Sequence, residues 1–108
     1  MNARNKGNGM DVRFHRLAIR EYEATRAWFE RRREGLGASF RDEVDRAVAR
    51  IARSPTRWPV AFDKFRRVRL RRFPYLLYDH VVDASLALVL AVAHARRRPG
   101  YWRRRLPE

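Results

Sequence analysis

Apolar residues along this chain recur first at every second position, then at every third or fourth, then at every second again, and each change marks a new element. In Asp11 to His15, Val12 and Phe14 alternate with Arg13 and His15, which predicts a short opening strand with one buried face. From Arg16 the spacing lengthens. Ala18, Tyr22, Thr25 and Phe29 fall at steps of three or four, with Trp28 beside them, while Arg20, Glu23, Glu30 and Arg31 lie elsewhere. That is the stripe of an amphipathic helix ending near Arg33. Gly35 and Gly37 follow, and glycine most easily takes the left-handed conformation that closes a helix. A second stripe, Leu36, Phe40, Val44, Ala47, Val48 and Ile51, then runs until Ser54-Pro55 stops it. Two helices so spaced should form an antiparallel hairpin.

Trp58-Pro59 falls in a connector. Beyond it Val68 and Leu70 alternate with Arg67, Arg69 and Arg71, the period of a strand with one buried face and a row of arginines on the other. Phe73-Pro74-Tyr75 interrupts the chain, because proline cannot donate to a ladder. Leu76 to Val82 and Leu86 to Ala93 then read as a hairpin joined at Asp83-Ala84-Ser85. The predicted fold is α+β: a helical hairpin packed on one face of a mainly antiparallel four-stranded sheet, in the order β-α-α-β-β-β. Residues 1–10 are expected to be a flexible tail, with either Met1 or Met10 as the start. Residues 11–108 are expected to be one domain, ending in a basic appendage from Arg96 that has no apolar period.

Charge changes the picture most. The chain carries 26 Lys and Arg against 12 Asp and Glu, a net charge of +14, and Lys6 and Lys64 are its only lysines. From Lys64 to Pro107 there are 12 basic and 2 acidic residues. Arginine forks onto carboxylates and phosphates, so the partner classes are nucleic acid, a nucleoprotein machine or an acidic peptide. A merely soluble, arginine-rich surface is the bland alternative. There is no cysteine, and His15, His80 and His94 have no ligand spacing, so neither a metal nor another cofactor is expected. The longest apolar run, Ala84 to Ala93, is about half of what a membrane-crossing helix needs. The opening MNARNKGNGM does not read as a secretory signal, so the expectation is a cytoplasmic protein with no membrane partner.

Several strings, taken in order, resemble the RelE/ParE toxin superfamily, in its plasmid stabilisation branch. They are the stripe ending Ala52-Arg53-Ser54-Pro55, the run Arg67-Val68-Arg69-Leu70-Arg71-Arg72-Phe73-Pro74-Tyr75-Leu76-Leu77-Tyr78, and the closing Ala91-Val92-Ala93-His94-Ala95-Arg96-Arg97-Arg98-Pro99. The resemblance spans about Val12 to Trp102. It implies the toxin of a type II toxin–antitoxin pair, held in a hetero-oligomer by a cognate antitoxin. Two targets are open within that superfamily, namely ribosome-bound mRNA, which the ribonuclease branch cuts, and DNA gyrase, which the poisons trap on cleaved DNA.

Cutting RNA requires a group to take a proton, one to give a proton, and cations for the phosphoryl oxygens. By residue type His94, Arg97 and Tyr101 are the catalytic candidates. Arg67, Arg69, Arg71, Arg96, Arg97, Arg98 and Trp102 are the candidates for holding phosphate or target. The chain lacks the several lysines of the ribosome-dependent members and has the long helical hairpin of the poisons, which favours the gyrase reading. Tyr75 and Tyr78 fall within the strand pattern and read as packing. Trp28 and Phe29 read as core or antitoxin contacts. A nucleic-acid-binding regulator also fits the charge, yet Asp42, Glu43 and Asp45 stand on the second helix where phosphates would approach.

Overall fold

In the computed structural model, residues 2–3, 9–56 and 59–106 are described. Strands β1 (Asn2–Ala3) and β2 (Asp11–Phe14) are followed by helices α1 (Arg16–Arg32) and α2 (Leu36–Arg53). Strands β3 (Val60–Phe62), β4 (Phe65–Arg69), β5 (Tyr75–Asp83) and β6 (Leu86–His94) come next, then one 3-10 turn at Arg103–Arg105. The sheet order is β1-β2-β6-β5-β4-β3. The pairing of β2 with β6 is parallel and the other pairs are antiparallel. The α+β architecture and element order are those expected from the periods. The strand count differs, because β1 and β3 are too short, at 2 and 3 residues, to show a period. Trp58 lies outside the described residues.

Both helices begin at caps written in the sequence. His15 Nδ1 accepts the Leu17 amide and opens α1. Between the helices Gly35 sits at φ 87°, in the left-handed region, and the Glu30 carboxylate accepts the amides of Gly35 at 3.0 Å and Gly37 at 2.9 Å. A Cβ on Gly37 would stand 3.0 Å from the Arg26 carbonyl oxygen, so the close approach of the helices there requires glycine. These two bonds satisfy donors at the start of α2 and hold the Glu30 carboxyl below its ordinary range.

The helix stripes and one sheet face make the larger core. Phe40, Val44, Ala47 and Ile51 are fully buried against Val12, Leu77 and Val89, with Tyr22, Phe29, Phe73 and Tyr75 adding ring contacts around Phe40. A second core lies on the opposite sheet face. There Trp102 is fully buried and stacks on Tyr78 at 3.7 Å between centroids, among Phe65, Leu88 and Leu90. The C-terminal segment is therefore the cover of that face and not an appendage. At the other terminus, Met10 is buried, its amide donates to the Ala52 carbonyl, and Asn2–Ala3 pair with Val12 and Arg13.

One group stands out energetically. Asp79 is fully buried on β5, where the register shifts, and neither carboxylate oxygen has a hydrogen-bond partner among the described residues. Burial raises its pKa to about 7, against the opposing pull of Arg66, its register partner on β4. Because the folded value lies above the unfolded 3.8, this group favours folding below pH 4 and that contribution is lost as pH rises towards 7. Asp79→Asn is expected to stabilise the fold at pH 8 by on the order of 3 kcal/mol, with little change at pH 4. Urea unfolding of both chains at the two pH values checks this, and an equal difference at both would refute the desolvated carboxyl.

Candidate functional site

The expected site residues converge only in part. Arg67 and Arg69 are exposed on β4, in register with Tyr78 and Leu76 of the second core, so they flank the face that Trp102 covers. Arg71 does not continue their row. Strand β4 ends at Arg69, the Leu70 amide turns to the Tyr75 carbonyl, and the Arg71 amide donates to Glu43 Oε1 of α2 at 3.1 Å. Its side chain instead lines a cleft beside α2. Arg96, Arg97 and Arg98 are exposed on the turn that follows β6. Trp102 is corrected outright: a fully buried ring stacked on Tyr78 is a core residue and cannot touch a target.

The organising group is one that sequence reasoning missed. Beyond Phe14 and the His15 amide, which bonds to the Val89 carbonyl, the chain leaves β6 to enter α1. The outer half of β6 thus loses its neighbour on that side. Side chains replace the missing strand: Glu21 Oε1 of α1 accepts the Val92 amide at 3.0 Å, and Arg105 Nη1 donates to the Leu90 carbonyl at 2.6 Å. Glu21 and Arg105 also grip each other with two bonds of 3.0 Å. The Tyr101 hydroxyl donates to Glu21 Oε2 at 2.8 Å, and Arg97 lies 3.7 Å from the same oxygen. Glu21 stands three residues after Ala18 and four before Thr25, at the border of the apolar stripe of α1, so its spacing carried a signal that its charge obscured.

Two of the catalytic candidates, Tyr101 and Arg97, belong to this node, and His94 lies at the end of β6. Burial and the hydrogen bond to Glu21 push the Tyr101 phenol up, which keeps it protonated. The Arg97 guanidinium lies 3.6 Å from the Tyr101 ring centroid, and Arg105 approaches the ring at 5.1 Å. His94 accepts the Arg96 amide at Nδ1 and packs edge-on to Tyr75 at 5.2 Å. Each candidate thus closes the end of β6. Among the described residues no group of three His, Asp or Glu side chains is placed to hold a metal ion. None of the described helices is long and apolar enough to cross a membrane.

Below the tail, on the second-core face, a groove of about 820 Å³ opens between the β3–β4 turn, β5, β6 and the 3-10 turn. Phe65, Val82, Leu86, Leu88 and Leu106 form an apolar floor, and Arg13, Lys64, Arg103 and Arg104 stand around it. Asp63 reaches across its mouth to Arg103 at 3.8 Å. Val82 is exposed. The groove is large enough for side chains of a bound segment, apolar below and cationic above.

The node predicts a stability effect. Replacing Glu21 by Ala leaves Arg105, Tyr101 and the Val92 amide without their acceptor, and should cost about 2–4 kcal/mol, since both ends of the pair are mostly shielded from water. Guanidinium unfolding reads the loss, and limited proteolysis should show first cleavage after Ala95. An unchanged midpoint would remove the node from its anchoring role.

The sequence matches the family of ParE toxins of type II toxin–antitoxin systems over residues 12–99. The fold is similar to that of a chain from the chromosomal ParDE toxin–antitoxin system of P. aeruginosa, with a TM-score of 0.64, covering 79% of this chain and 95% of that one. At 13% identity that likeness speaks for the fold alone. No curated protein matches the sequence. With β2 to the turn after β6 inside the matched span, and that architecture around them, this chain belongs to the ParE toxins of type II toxin–antitoxin systems, within the RelE/ParE superfamily.

Proposed function

We propose that the chain acts as a gyrase poison, binding its target through arginines and performing no bond chemistry itself. The observation that carries this is the occupation of the three proton-handling and phosphate-clamping candidates. RNA cleavage through the 2′-hydroxyl needs a base free to accept a proton. Tyr101 is held as a protonated donor to Glu21, His94 Nδ1 is taken by the Arg96 amide, and Arg97 is stacked and ion-paired. What remains outward is cationic: Arg67, Arg69, Arg96 and Arg98 are exposed without any acid beside them in the chain. Such a surface suits an acidic protein or DNA, through contacts that weaken with salt.

Purified chain added to gyrase and plasmid DNA should give linear product. Added to cell-free translation, with primer extension on the mRNA, it should give no codon-spaced cuts. Tyr101→Phe should keep most of the gyrase effect while lowering stability by about 1 kcal/mol. Codon-spaced cuts that vanish in Tyr101→Phe would reverse the assignment in favour of the ribonuclease.

The cognate antitoxin is assigned to the groove over β5 and β6. Its occupant is an amphipathic, acidic segment, because the floor is apolar and the surrounding charges are basic. Val82→Glu combined with Arg104→Glu should weaken capture of the co-encoded antitoxin at least tenfold in calorimetry, with thermal stability unchanged. Undiminished affinity would move the antitoxin to another face.

A further inference from the structure

A second cationic feature lies on the other side of the sheet from that groove. Arg46, Arg50 and Arg53 follow one another at steps of four and three along α2, which brings them to one helix face. Arg71, leaving β4, meets them across a small cleft of about 190 Å³ lined also by Glu43 and Ala49. We propose that this cleft is a phosphate-binding site, formed by the guanidinium groups of Arg46, Arg50, Arg53 and Arg71.

The site is built rather than incidental. The Glu43 side chain is 5% exposed, and it fixes both walls: Oε1 accepts the Arg71 amide at 3.1 Å and Oε2 pairs with Arg46 at 3.1 Å. Arg50 is partly buried at the back, whereas Arg53 and Arg71 are exposed at the mouth. Four cations line the cleft with one carboxylate. The C-terminal end of α2 adds the equivalent of roughly half a negative charge, which Arg50 and Arg53 complement. The guanidinium groups that line the cleft outnumber its single carboxylate, so the field within it attracts an anion.

Size and shape select the anion. The volume is roughly that of six waters, too small for a folded peptide segment and ample for one oxyanion with its hydration. A planar carboxylate is saturated by one or two guanidinium forks, whereas a tetrahedral phosphate offers acceptor oxygens in several directions and suits forks arriving from two elements. The phosphate can be a free ion or a phosphodiester of a nucleic-acid strand.

The test is a titration of the whole chain, with ¹⁵N-labelled arginine side chains followed by NMR at low ionic strength. Inorganic phosphate is one ligand and a short single-stranded oligonucleotide the other. The paired variant Arg53→Gln/Arg71→Gln keeps the backbone bond to Glu43. Arg20→Gln/Arg31→Gln removes the same charge from exposed positions of α1. Saturable binding of inorganic phosphate, weakened at least tenfold by the first pair and less than twofold by the second, supports a site for the free ion. The same contrast seen with the oligonucleotide alone supports a strand phosphodiester. Equal weakening by both pairs, or shifts spread evenly over all arginines, overturns the proposal, and thermal melts of both variants verify that they are folded.

Discussion

A sheet edge that loses its neighbour halfway along is the constraint on which the rest of this molecule depends. Strand β2 accompanies β6 only as far as Phe14 and Val89, and then the chain must leave to form α1. Unpaired amides and carbonyls in a half-buried strand cost free energy and invite pairing with another chain. The fold answers with an ion pair acting as a strand. Glu21 takes the Val92 amide, Arg105 takes the Leu90 carbonyl, and the two close on each other. That single arrangement joins α1, β6 and the C-terminal segment. It also brings Trp102 down on Tyr78, which seals the second core.

The same economy governs charge. A chain of net +14 must hold like charges near one another, and three of its carboxylates sit where each orders more than one neighbour. Glu21 gathers two arginines, a tyrosine and an amide; Glu43 ties α2 to the exit from β4; Glu30 closes the hairpin turn. Other arginines are spread over the far sheet face, the turn after β6, the cleft beside α2 and the outer side of α1. The even cationic sheet suggested by alternation is broken where β4 ends, since Arg71 has turned towards the helices.

Local pattern made most of the scaffold legible. The stripes from Ala18 to Phe29 and from Leu36 to Ile51, the glycine turn, and the β5–β6 hairpin follow from periodicity, because each buries one face against a neighbour in the predicted order. What pattern could not carry is contact between residues far apart in sequence. Glu21 lies at the border of the apolar stripe, on another side of α1 from Glu23, and its partners come from β6 and the C-terminal segment, far off in sequence. Trp102 stands in a run of arginines and is buried because β4, β5 and β6 lie beneath it. Asp79 occupies a strand position whose alternation is disturbed by the register shift, so its burial had no signal in the spacing. The same holds for the site residues, whose side-chain type was visible in the sequence and whose partners were not.

The parallel pairing of β2 with β6 also orders the assembly of the fold. Asp11 must meet Leu86 and Phe14 must meet Val89, so this pairing joins positions 75 residues apart and waits until β6 has been made. Closure of so long a loop is slow compared with the local helical hairpin. The helical hairpin, whose contacts are local, can therefore form before the sheet closes around β6 and gives the late-pairing strands a surface to dock on.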